Sequence, residues 1–246
     1  MKARQMLLAT ALVVAVWQGA AMAVNASVLP GPGVAVMALV RDLPRGLGHH
    51  FLVSGYRLAF SMIIATLLAT PLGLAIGQSP RWNGLISPLI YLTYPVPKIV
   101  FLPIIMLFLG TGDVSKLFII SLILFFQILV VVRDACLAVR PELVQSVRSL
   151  GAGWWELLRY VYFPACLPAV LTALRVSTGT AIAVLFLAET FATQSGLAYY
   201  ITVEAWGRMA YPEMYAGVIA MAVLGLATYV LLDQLERRAC EWMVVK

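Results

Sequence analysis

Apolar residues in this chain come in long blocks, separated by short stretches rich in proline, glycine and charge. The blocks fall at 6–24, 56–76, 85–109, 117–132, 168–188 and 215–232. A helix needs about 20 mostly apolar residues to cross a bilayer. The pattern therefore predicts an all-α polytopic membrane protein with about six transmembrane helices. The fourth block is short, so its helix is expected to run beyond these limits. Residues 25–51 contain Leu29-Pro30-Gly31-Pro32, then Arg41, Asp42, Pro44 and Arg45, and read as an extended loop with one short surface helix. The chain divides accordingly into a first spanning helix with its outer loop (1–55) and a core of five spanning helices (56–246). A secretory signal peptide competes for the first block, because Ala21-Met22-Ala23 resembles a cleavage site. Its apolar run is longer than a usual signal core, however, and further spans follow.

Two blocks carry more than hydrophobicity. In the second, Ser61, Ala65, Ala69, Gly73 and Gly77 recur every fourth residue and form a ridge of small side chains on one helix face. Packing within the chain is the simpler use for it; a dimer contact is the alternative. In the third, Pro95, Pro97 and Pro103 each remove an amide donor, which predicts a broken or strongly kinked helix. Such backbone is tolerated at membrane depth where it is buried in protein or lines a wet cavity, so this block is the candidate translocation path. Lys98 lies beside Pro97, and two roles fit it: donating to carbonyls freed by the prolines, or attracting an anionic solute. Glu189, near the outer end of the fifth block, is assigned to the path mouth, where it would pair with a neighbouring subunit or help close a gate. Arg175 lies close enough to the inner surface to snorkel.

Composition agrees with lipid as the second solvent: 62% of residues are hydrophobic and 11% charged, against roughly 25% charged in soluble domains. The net charge of +6 does not mark a nucleic-acid binder, because the basic residues lie between apolar blocks. With the N-terminus inside, Lys2, Arg4, Arg81, Arg133, Arg140, Arg148, Arg159, Arg237, Arg238 and Lys246 fall on the cytoplasmic side. Arg41, Arg45, Arg57, Lys116 and Arg208 fall outside. This bias places both termini in the cytoplasm. Cys136, Cys166 and Cys240 match no metal spacing and read as reduced, structural thiols. His49 and His50 would point apart, and Asp113 and Glu213 read as loop charges. No phosphate-binding G-x-x-x-x-G-K-[ST] occurs, and no catalytic residues are assigned.

The long cytoplasmic segment, 133–167, holds the most specific pattern. Leu143, Val147 and Leu150 recur at helical spacing before Gly151, and Trp154, Leu157, Leu158 and Val161 after Gly153. Two short amphipathic helices joined at 151–153 are expected. Here the chain resembles the permease subunits of prokaryotic ATP-binding-cassette (ABC) importers, whose loop between helices 4 and 5 follows E-A-A-x3-G-x9-I-x-L-P. Gln145, Ser146 and Val147 stand at E-A-A, Gly151 at the glycine, and Val161-Tyr162-Phe163-Pro164 at the close. The spacing is kept throughout, and the identities at Gly151 and Pro164. Leu29-Pro30-Gly31-Pro32, Ser54-Gly55-Tyr56-Arg57, Phe108-Leu109-Gly110, Ala188-Glu189 and Ser195-Gly196-Leu197-Ala198-Tyr199 are similar, in order, to segments of the nitrate/sulfonate/taurine-like branch.

The resemblance implies a permease in the plasma (inner) membrane of a prokaryote, catalysing no covalent step itself. It implies a second permease copy, forming a homodimer, two ATPase subunits holding ATP and magnesium, and an extracytoplasmic solute-binding protein. Residues 140–164 would form the coupling helix, with Gln145, Ser146, Val147, Gly151, Trp154, Trp155, Glu156 and Pro164 meeting the ATPase. An interfacial helix on lipid headgroups would also suit the tryptophans. The solute would be small: a sulfonate, a nitrate-like anion or a vitamin precursor. An exporter permease or an ion-coupled secondary transporter is the alternative. The latter more often shows two related halves, and no internal repeat is present.

Overall fold

The computed structural model describes residues 3–243; Lys2 and Lys246 lie outside the described residues. Among those residues every regular element is helical. The first block forms α1 (Ala3–Val24). α2 (Pro32–Asp42) begins on proline, which loses nothing at a first helical position because that amide has no intrahelical partner. One 3-10 turn over Leu43–Arg45 and Gly46, at φ +142°, lead straight into α3 (Leu47–Gln78). The extended loop expected over 25–51 is thus corrected to a largely helical segment. Pro32 and Pro44 stand in first turns, where their fixed φ favours helix.

The third block forms α4 (Pro80–Thr93) and, after a turn over Lys98–Phe101, α5 (Leu102–Leu109). The two arms are bent by 76°. Pro95 and Pro97 fall in the gap, and neither has an amide to continue α4. α6 (Asp113–Leu137) extends the short fourth block at both ends. α7 (Pro141–Ser149) is followed by α8, a helical run over Trp154–Thr190 that widens to π geometry at Leu158–Tyr162. A short helix, α9, opens over Leu197–Tyr199 and continues in π turns over Tyr200–Ala205. α10 (Tyr211–Ala239) closes the fold. Five helices, α1, α3, α6, α8 and α10, are long and apolar enough to cross a membrane, and the bent pair α4–α5 makes a sixth when counted as one span.

The chain forms two compact units. One takes in the chain up to Gly55 with Glu189–Leu224; the other takes in Tyr56–Ala188 with the chain from Gly225 onward. Within the first, Trp17 stacks on Tyr215 at 5.7 Å and donates its indole N–H to the Pro30 carbonyl at 3.1 Å. Within the second, the small-residue ridge of α3 packs on α6. Ser61, Ala65 and Ala69 are fully buried, and Ser121 Oγ donates to the Ser61 carbonyl at 3.2 Å. A Cβ at Gly77 would lie 2.5 Å from Cys136 Cβ and 2.8 Å from the Arg133 carbonyl oxygen. The ridge therefore serves close helix approach within the chain.

Several charges sit differently from their sequence reading. Asp113 is not a loop charge but opens α6, and Arg57, inside α3 and 2% exposed, places Nε and Nη2 at 2.8 and 2.5 Å from Asp113 Oδ1. Lys116 is buried in α6, its ammonium 2.5 Å from the Thr111 carbonyl and 3.1 Å from that of Gly112. Glu213 pairs with Arg41. Arg175 does not snorkel alone; it meets Asp233 at 2.6 Å and Glu236 at 3.3 Å on α10. Cys136, Cys166 and Cys240 are free and buried.

Candidate functional site

α7 has no buried residue. Gln145 and Ser146 are exposed and Val147 is half-buried, while Leu150, just past the helix, is 84% exposed. An amphipathic helix with its apolar residues uncovered lacks the partner that would bury them. Gly151 follows at φ +88°, the left-handed region open to glycine, and its N–H closes the turn on the Arg148 carbonyl at 3.0 Å. A Cβ at Gly151 would meet nothing within 4 Å, so backbone conformation, and not space, requires glycine there.

Beyond the turn the structure corrects the expected second short helix. Trp154 does not open a separate surface helix; it opens α8, which continues for 37 residues. The amphipathic pattern at Trp154, Leu157, Leu158 and Val161 is the first part of the helix that forms the fifth span. Leu157 is 1% exposed, and Val161 and Tyr162 are buried, so this end is anchored. Trp154 and Trp155 stack at 6.0 Å and remain more than half exposed. Glu156 lies in the first turn, reaching back over Gly153, where a carboxylate complements the helix dipole. Pro164 sits within the run, just past the π turns. Gln78, which the sequence pattern did not single out, donates Nε2 to the Trp154 carbonyl at 3.2 Å and ties the end of α3 to the start of α8.

At the break in the third span, Lys98 Nζ stands 2.9 Å from the Thr93 carbonyl, 3.3 Å from that of Tyr94 and 3.4 Å from that of Val96. It also lies 4.3 Å from the centre of the Phe126 ring. Of the two roles open to it, the first is the one this geometry occupies. Pro95 is exposed in the gap, Pro97 caps the following turn, and Pro103 stands in the first turn of α5.

Glu189 belongs to the other unit. Its carboxylate is fully buried. It accepts from Ser54 Oγ at 2.8 and 2.9 Å and from the Ala198 amide at 3.2 Å. Ser54 Oγ in turn accepts from the Leu197 amide at 2.7 Å. Gly196, at φ +116°, packs so closely on the carboxyl that a Cβ would collide with it. His50 completes the knot: Nδ1 accepts the Gly196 N–H at 3.0 Å and Nε2 lies 3.3 Å from Glu204. Nearby, the hydrogen bond from Arg41 holds the Asp42 carboxyl below its usual range, and burial, with the bond to Asp42, pushes the Tyr200 phenol up. The Ser54 and Gly196 motifs were visible in the sequence; their meeting at Glu189 was not.

An exposed amphipathic helix is thus joined through a tight turn to a helix long and apolar enough to cross a membrane. A profile of the binding-protein-dependent transport system inner membrane component matches residues 69–239. The taurine transport system permease protein TauC of Escherichia coli is 30% identical over 196 residues, covering 80% of this chain and 71% of that protein. The putative aliphatic sulfonates transport permease protein SsuC of Bacillus subtilis is 30% identical over 239 residues, covering 96% and 86%. Among solved structures, the MetNI methionine ABC transporter in an inward-facing conformation aligns with TM-score 0.63 at 19% identity, covering 80% of this chain and 95% of that one. A bacterial ABC transporter that imports alginate aligns with TM-score 0.63 at 18% identity, covering 96% and 94%. These two likenesses concern the fold. The chain belongs to the family of binding-protein-dependent transport system inner membrane components, as the permease subunit of an ABC importer. The exporter and ion-coupled alternatives fall away.

Proposed function

We propose that α7 and the turn at Gly151 dock this permease on an ATPase subunit, and that the solute it imports is a small organosulfonate. The observation that carries the docking is α7 itself: an exposed amphipathic helix, turned at a positive-φ glycine into the base of a spanning helix. Gln145, Ser146, Val147, Trp154 and Trp155 would present the contact surface. Gly151, Glu156 and Pro164 would hold its geometry. Because α8 is continuous, displacement of the loop passes directly into the fifth span. Two copies of the chain, as a homodimer, would work with two ATPases that bind ATP and magnesium, and with a solute-binding protein outside. Both termini would lie in the cytoplasm. The break between α4 and α5, with Pro95, Pro97, Lys98 and Pro103, would line the path. The sulfonate reading rests on the names of the two 30%-identical relatives.

A cysteine at Leu150, in a variant otherwise free of cysteine, tests the docking. Cross-linking to the ATPase subunit in the assembled complex is expected, with spacing that changes when ATP is added. Labelling of that cysteine from outside intact cells would overturn the reading. Uptake of labelled taurine, competed by other alkyl sulfonates and not by carboxylate analogues, tests the substrate. Equal competition by carboxylates would reject it.

A further inference from the structure

A groove of about 640 Å³ opens within the second unit, walled by α3 and the cytoplasmic end of α8. Its lining is apolar, including Leu74, Leu158, Leu167 and Leu171, apart from two threonines and Arg159. Arg159 is exposed and meets no carboxylate among the described residues; its guanidinium lies 5.6 Å from the Tyr160 ring. Thr70 is 9% exposed, and its hydroxyl finds no hydrogen-bond partner. Tyr160, next to Arg159 in the chain, is more than half exposed, and this residue type settles at headgroup depth.

The bond between Gln78 Nε2 and the Trp154 carbonyl brings the end of α3 beside the start of α8. Five residues of α8 carry Arg159 about 7.5 Å into the membrane from there, and eight residues of α3 carry Thr70 about 12 Å. A cation at the rim, an unpaired hydroxyl about 4–5 Å deeper, and apolar walls beyond follow the order in which a phospholipid presents phosphate, ester and acyl chain. We infer that this groove binds an anionic phospholipid, its phosphate at Arg159 and one acyl chain along α3 and α8. The free guanidinium supplies the charge complementarity. A lipid held there would brace the base of the fifth span.

The test is native mass spectrometry of the assembled transporter titrated with phosphatidylglycerol or phosphatidylcholine. Phosphatidylglycerol is expected to be retained about fivefold better, the worth of one basic residue at an anionic surface. Arg159→Gln should bring the two lipids to parity, while Arg159→Lys keeps the preference. Leu167→Phe, which narrows the groove without touching charge, should lower retention of both lipids alike. Unchanged preference in Arg159→Gln would overturn the proposal. So would displacement of the lipid by inorganic phosphate alone, since the chain would then contribute nothing. Cross-linking of a Leu158→Cys variant to another protein subunit would show that protein covers the groove, and would overturn it equally.

Discussion

The Lys98 ammonium stands 2.9 Å from the carbonyl oxygen of Thr93. In an unbroken helix that carbonyl would accept the amide of residue 97, which is proline and has none. The side chain of the next residue supplies the missing donor, and the Phe126 ring, 4.3 Å away, adds a cation–π contact. The broken span thus carries its own repair.

Lys98→Met should therefore lower the thermal stability of the solubilised complex by about 1 kcal/mol, the low end for an unmet acceptor because the site is partly open. Lys98→Arg should recover only part of it, since a planar fork does not place three donors around a point. A scan of melting temperature beside uptake decides the matter. Lost uptake at unchanged stability would instead mean that the charge serves the solute.

Gly151→Ala tests backbone conformation alone, because a methyl group there meets nothing. A non-glycine residue at φ +88° is strained by about 1–2 kcal/mol, so the turn should open and misplace α7. Membrane insertion should be retained, with substrate-stimulated ATP hydrolysis falling toward its basal rate. Normal stimulation in Gly151→Ala would contradict a tight turn at this position.

Gly77→Leu should be poorly tolerated. The first added carbon already lies 2.5 Å from Cys136 Cβ, and overpacking of this kind costs about 1–3 kcal/mol. The expected readout is reduced yield and a lower melting temperature, with no change in dimer formation by whatever folds. A selective loss of dimer would mean that the ridge serves a neighbouring subunit.

Ser54→Ala and Glu189→Gln should each destabilise the knot around Gly196, by about 1–3 kcal/mol for buried partners left unmatched. Since the two side chains bond each other, the double variant should lose less than the sum. Melting temperatures of the three variants give the coupling. Strict additivity would show that the bond contributes nothing.

Acid should weaken the Arg41–Asp42–Tyr200 cluster. Asp42 has a folded-state pKa below its unfolded value, so the native state holds fewer protons there. Its contribution is complete above the ordinary aspartate range and fades as pH falls through the lowered value. Arg41→Gln should remove most of that dependence. Melting temperature followed from neutral pH to about pH 3 would show it, and identical profiles for the two proteins would refute it.

Hydropathy located the spans because the test is local. A run of apolar residues must find lipid whatever the rest of the chain does, and its backbone must be hydrogen-bonded within itself. For the same reason Pro95 and Pro97 announced a break, and the spacing around Gly151 announced the loop. The helix that starts at Trp154 is not legible as one piece, because 154–161 carries an amphipathic pattern, while the apolar run that continues it begins again only at 168. Nothing in either stretch says that one helix joins them.

By itself, then, the sequence determined the number of spans, the place of the break and the turn at Gly151, since each follows from neighbouring residues and backbone chemistry. Only the tertiary structure decided where the charges go. Arg57 meets Asp113 across 56 residues, and Ser54 meets Glu189 across 135. Such pairings depend on how helices rotate and approach one another, as the small-residue ridge of α3 allows them to do against α6. Rotation of one helix by a fraction of a turn would have offered each charge a different partner, and no local pattern encodes that angle.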